Sequence, residues 1–102
     1  MKVIFHPEAE FELCAAREWY ARQRRGLDAE FMRCVDEAVA RIKRDPEMLP
    51  FALRNARKAV VRRFPYTVYY EIGEREIVIL AVFHAKRNPE HWQKRAGEES
   101  GF

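Results

Sequence analysis

Five cations and no acid fall within the stretch Arg54-Asn55-Ala56-Arg57-Lys58-Ala59-Val60-Val61-Arg62-Arg63. A second basic group is His84-Ala85-Lys86-Arg87, with Lys94 and Arg95 a little further on. Guanidinium forks grip phosphate or carboxylate bidentately. Two such groups therefore suit nucleic acid or an acidic protein segment, if the fold brings them to one end of a sheet. Tyr69, Phe83 and Trp92 lie near these cations and carry rings on which bases stack. The plainer account is a solvated basic face, with Trp92 clamping a terminal helix onto the sheet.

Other chemistry is constrained by what is missing. Ser100 is the sole serine, and no glycine-rich phosphate loop exists, so a serine nucleophile is excluded. His84 and Arg87 have the residue types for general acid–base work and for stabilising a phosphorane. A lone histidine at a strand end also serves as a hydrogen-bonded structural residue. His6, His84 and His91 are far apart, and Cys14 and Cys34 show no C-x-x-C spacing. No metal, cofactor or disulfide framework is expected.

The 102 residues (12.2 kDa) carry a net charge of +3. Residues 1–51 hold 9 Lys/Arg against 10 Asp/Glu, and residues 52–102 hold 10 against 6, so the surplus lies in the C-terminal half. Hydrophobic residues at 48% exclude a disordered chain. The length fits one domain over 1–102, with a single core and no room for a deep active site. The longest apolar run, Ile77 to Phe83, is too short to span a membrane, and Met1 to Glu8 is no signal peptide, so a cytoplasmic location is expected.

The elements that must position these residues follow from periodicity. Lys2 to Phe5 reads as a strand, and Pro7 as the first turn of a helix running to about Gln23. Ala9, Leu13, Ala16 and Tyr20 fall within about 60° on its surface, with Phe11 nearly opposite, at an edge or exposed for a partner. Gly26 turns the chain into a second helix, Leu27 to Arg44, whose stripe is Leu27, Phe31, Cys34, Val35, Ala38 and Ile42. Residues 46–56 read as an irregular link. Strands follow at Lys58 to Phe64, Tyr66 to Ile72 and Glu76 to His84, the last apolar on both faces and hence central. Asn88-Pro89 starts a short helix over Glu90 to Arg95, and 96–102 reads as a frayed tail. The expectation is an α+β fold in the order β-α-α-β-β-β-α. A sheet of about four strands packs on an antiparallel helix hairpin and leaves its other face for function.

These residues, in this order, resemble the RelE/ParE superfamily of toxins from type II toxin–antitoxin modules. The resemblance rests on Ala9, Leu13, Trp19-Tyr20, Gly26-Leu27, Phe31, Ile42 and Pro46. It continues in Arg62-Arg63-Phe64-Pro65-Tyr66 with Val68 and Tyr70, and in Ile79 to Pro89 with Trp92. It implies a growth-inhibiting toxin, a plasmid stabilisation-like protein, held in complex with an antitoxin encoded beside it. ParE-like members poison DNA gyrase. RelE-like members cut mRNA on the ribosome, commonly with an arginine directly after the strand tyrosine, where this chain has Thr67 after Tyr66. The lean is therefore toward a ParE-like gyrase inhibitor that is not an enzyme. An mRNA interferase is the alternative, and an inactive binding module the third reading. If the chain is a nuclease, the catalytic candidates are Arg62, Arg63, His84 and Arg87. The candidates for binding target or antitoxin are Phe11, Arg54, Arg57, Lys58, Arg62, Tyr69, Lys86, Arg87 and Trp92. Oligomers are expected through the toxin–antitoxin complex.

Overall fold

Lys2–Phe5 forms β1, and Pro7 then opens helix α1, Pro7–Gln23. His6 caps this helix, its Nδ1 accepting the Glu8 N–H at 3.1 Å. Gly26, with φ 84°, makes the left-handed turn into α2, Leu27–Arg44. Four strands follow: β2 (Phe51–Leu53), β3 (Ala56–Val60), β4 (Tyr66–Ile72) and β5 (Glu76–His84). The short helix α3, Glu90–Gln93, is the last element among the described residues. This computed structural model describes residues 1–97.

The fold is α+β, and its sheet has five strands in the order β1-β5-β4-β3-β2. Only β1 with β5 is a parallel pair. The sequence leads to about four strands, because Phe51–Leu53 is too short, between Pro50 and Arg54, to show a period. It becomes a strand by pairing with Ala56 and Arg57 across a tight turn in which Arg54 takes φ 49°. The second strand read from the sequence also shifts. It is expected at Lys58 to Phe64 and found at Ala56–Val60. The chain leaves the sheet at Val61, Arg63 adopts φ 70°, and Phe64 turns into the core. Strand β5 is interior, between β1 and β4, as its two apolar faces require.

The helix hairpin covers one face. Tyr20 lies 5.0 Å from both Phe31 and Phe64, and Phe31 lies 5.2 Å from Tyr66, centroid to centroid. The first pair is tilted and the other two edge-on, and aromatic pairs of this kind each add about 0.5–1.5 kcal/mol beyond their buried area. The far face is not left open. Trp92 from α3 stacks on Tyr69 at 3.8 Å and packs with Ala56, Leu80, Ala81, Phe83 and Ala96 in a second, smaller core. Ala96, expected to fray, is thus buried. The remainder of that tail, 98–102, lies outside the described residues.

One irregularity in β5 matters for the site. Tyr69 pairs with Ala81 and Tyr70 with Ile79, so Leu80 is an extra residue, a β-bulge. The bulge reverses the alternation of side chains. Ile77 and Ile79 before it face the hairpin, and so does Val82 after it. It therefore brings His84 to the hairpin side, where its ring meets Tyr66 edge-on at 5.1 Å.

Candidate functional site

The two basic groups meet only in part. The loop after β3 and the turn after β5 lie at the same end of the sheet, joined by the Ala85 N–H donating to the Pro65 carbonyl at 2.9 Å. This brings Arg62, Arg63, His84, Lys86 and Arg87 together. Arg54, at the β2–β3 turn, stands at the opposite end. Arg57 is committed to the fold. Its guanidinium donates to the Glu47 and Leu49 carbonyls and lies 3.9 Å over the Phe51 ring. Lys58 is exposed on β3. Arg62 lies 3.4 Å from Glu37, and Arg63 and Lys86 make no ion pair among the described residues.

The rings expected to stack on bases are spent on each other. Trp92 is 2% exposed and lies nearly parallel to Tyr69. Phe83 is buried beneath the Arg87 guanidinium, 4.5 Å from its ring. Two of the exposed aromatics lie on α1, and a third, Phe51, on β2 beneath Arg57. Phe11 is 75% exposed and Trp19 50%, and with Ala15 they form an i, i+4, i+8 row.

That row forms one wall of a groove of about 1100 Å³. The other wall is the basic end of the sheet, with Pro65, Tyr66, Val82, His84 and Arg87. At its base lies an ion cluster that sequence reasoning did not find. Arg95 forks onto both Glu12 carboxylate oxygens at 3.0 and 2.9 Å, with Glu8 at 3.0 Å and the Leu80 carbonyl at 2.9 Å. Arg87 donates to Glu12 at 3.0 Å, and so does the Val82 N–H at 3.1 Å. Glu12 reads in the sequence as one of several acids near a helix start. Its position beside the buried stripe was the available signal, but its cation stands 83 residues away.

The polar groups of this site are tied to their neighbours. Glu12 is saturated by two arginines and a backbone N–H. His84 Nδ1 accepts the Lys86 N–H at 3.0 Å. The Tyr66 hydroxyl is pushed above its ordinary value of about 10, by burial first and by neighbouring Tyr20 second, with Arg87 opposing. It keeps its proton at neutral pH.

Burial raises Tyr20, Tyr69 and Tyr70 as well, so all four tyrosines shift one way. A raised phenol holds its proton to higher pH folded than unfolded. Its stabilisation is complete below pH about 10 and is lost as pH rises through the folded values. The melting temperature should therefore be insensitive to tyrosine ionisation below that pH and fall steeply above it. Phenolate absorbance should appear together with unfolding. Ordinary titration of all four phenols in a chain that stays folded would contradict this.

Residues 3–89 match the family model described as ParE toxin of type II toxin–antitoxin system, parDE. A solved structure of the chromosomal ParDE toxin–antitoxin system from P. aeruginosa superposes with a TM-score of 0.63 at 17% identity. The match covers 84% of this chain and 97% of that one, and so shows a shared fold. No curated protein sequence matches the chain.

Proposed function

The chain belongs to the ParE toxin family of type II toxin–antitoxin systems, and from that membership we propose a growth-inhibiting toxin that binds DNA gyrase and is neutralised by a cognate antitoxin. The observation that carries this reading is the family match over residues 3–89, which takes in the hairpin, the whole sheet and the basic end. The site's chemistry supports binding over catalysis. Glu12 is fully engaged, Tyr66 is held protonated, and one nitrogen of His84 is tied into its own turn. We place the antitoxin in the groove, because Phe11 and Trp19 stand exposed along its α1 wall. The closed ion cluster beneath supplies a rigid floor.

Purified toxin, freed of antitoxin, should inhibit supercoiling by gyrase, and adding antitoxin should restore it. Full gyrase activity at high toxin concentration would reject the target. The convergence of Tyr66, His84 and Arg87 favours a second reading, an mRNA interferase. Cleavage in the ribosomal A site after induction, mapped by primer extension, would select it.

A further inference from the structure

An open sheet edge pairs with any strand that reaches it, so folded chains guard their edges. The β2 edge is guarded. That strand is three residues long, carries a register irregularity and sits between Pro50 and Arg54. Past its end the Val60 carbonyl accepts from the Arg41 guanidinium. On the other side, where β5 outruns β1, Arg95 covers the Leu80 carbonyl and Glu12 the Val82 N–H.

β1 itself has no such guard. Lys2-Val3-Ile4-Phe5 holds no proline and no acid, and it pairs with β5 without a bulge. The His6 N–H donates to the Ile79 carbonyl at 2.8 Å, which fixes the phase of the parallel ladder. Lys2, Ile4 and His6 turn their backbone groups toward β5, and Val3 and Phe5 turn theirs outward. The N–H and C=O groups of Val3 and Phe5 meet no hydrogen-bond partner among the described residues.

This outward row is complementary to itself. If a second copy lies antiparallel and centred on Ile4, Val3 of each copy faces Phe5 of the other, and each such pair exchanges two N–H···O bonds. All four outward groups of each copy are then satisfied. The side chains agree with the same register. Ile4 is half-buried beside Val78 and belongs to neither core, and its counterpart would cover it across the axis. Exposed Lys2 arrives at the end of the other strand, where Glu8 and Glu10 open α1, and the two-fold axis repeats that attraction.

We propose that two copies of this chain associate through β1, joining their five-stranded sheets into one, with both helix hairpins on the same face. The surface lies apart from the groove and does not depend on the toxin's target. A four-residue strand makes a small interface, so the dimer forms at high protein concentration.

Sedimentation equilibrium and amide hydrogen exchange on the chain alone test this. The average mass rises with concentration toward twice 12.2 kDa. In the dimer the Val3 and Phe5 amides exchange about tenfold slower or more than in dilute protein, while the Ile4 amide, directed to β5, is the reference that stays unchanged. Val3→Pro removes an outward N–H that β5 does not use, and it weakens association about tenfold or more with the fold retained. Lys2→Glu weakens association at low salt and leaves the melting temperature in place. The mass of a single chain at every concentration overturns the proposal. A dimer that survives both substitutions, or that leaves the Val3 and Phe5 amides unprotected, assigns association to another surface and overturns it as well. Protection of these amides only when the product of the adjacent reading frame is added assigns the edge to that partner and overturns the second copy as its occupant.

Discussion

Glu12→Ala destabilises the fold by about 3–5 kcal/mol, the usual cost of leaving a buried charge without its partner. The Glu12 and Arg95 side chains are 7% and 4% exposed and joined by two hydrogen bonds. Removing the carboxylate strips Arg95 of its fork, Arg87 of its acid and Val82 of its N–H acceptor in one step. Glu8, 60% exposed, remains as a single screened contact for Arg95. In a domain of this size the loss lowers Tm by roughly 12 °C or more. Glu12→Gln keeps the shape and the Val82 bond, so it costs less. Replacing both partners, with Glu12→Leu and Arg95→Met, recovers part of the loss. It does not recover all of it, because the Leu80 carbonyl and Val82 N–H stay uncapped at about 1–3 kcal/mol each. Thermal and urea denaturation of the three variants measure this. A Glu12→Ala protein within about 1 kcal/mol of the parent would mean that the cluster is only a surface decoration.

Phe11→Ala and Trp19→Ala have the opposite signature. Each weakens the antitoxin complex roughly 30-fold or more, the about 2 kcal/mol that marks a central aromatic anchor, and changes stability by less than about 1 kcal/mol. Phe11 projects from α1 away from the core, so truncating it leaves no cavity. Trp19 touches Tyr20 edge-on at 5.1 Å and carries the larger share of any folding cost. Titration calorimetry against the purified antitoxin, beside thermal melts of the free toxin, separates the two effects. Affinity changes below about threefold in both variants would remove the groove as the docking surface, whatever the toxin's target is.

The two sets of residues differ in how they show in a sequence. Phe11 is legible, because a phenylalanine on the wrong side of an otherwise clean stripe asks for a partner. The helix hairpin, its Gly26 turn and the two-faced β5 are legible for the same reason: period and punctuation are local. β2 is not, since three residues carry no period. Nor is the fate of Trp92, where the choice between exposed platform and buried clamp depends on what Tyr69 offers across the sheet. The five-cation run divides into residues with different roles. Arg57 is tied to backbone carbonyls, while Arg62 and Arg63 lie in the loop after β3, Arg62 beside Glu37 and Arg63 in a left-handed conformation.

Composition and periodicity alone thus determined an α+β chain with a basic C-terminal half, a helix hairpin and a meander of strands. The order of weak motifs along the chain determined the toxin superfamily. Tertiary structure decided how the candidate site is assembled. Leu80 bulges and reverses the strand's alternation, bringing His84 beside Tyr66. Arg95 crosses the molecule to Glu12, and the pair caps the Leu80 carbonyl and the Val82 N–H of β5. Both are long-range events. A bulge is a mismatch between two strands, and an ion pair is a meeting of two distant segments. Neither has a signature within the few residues over which local propensity acts.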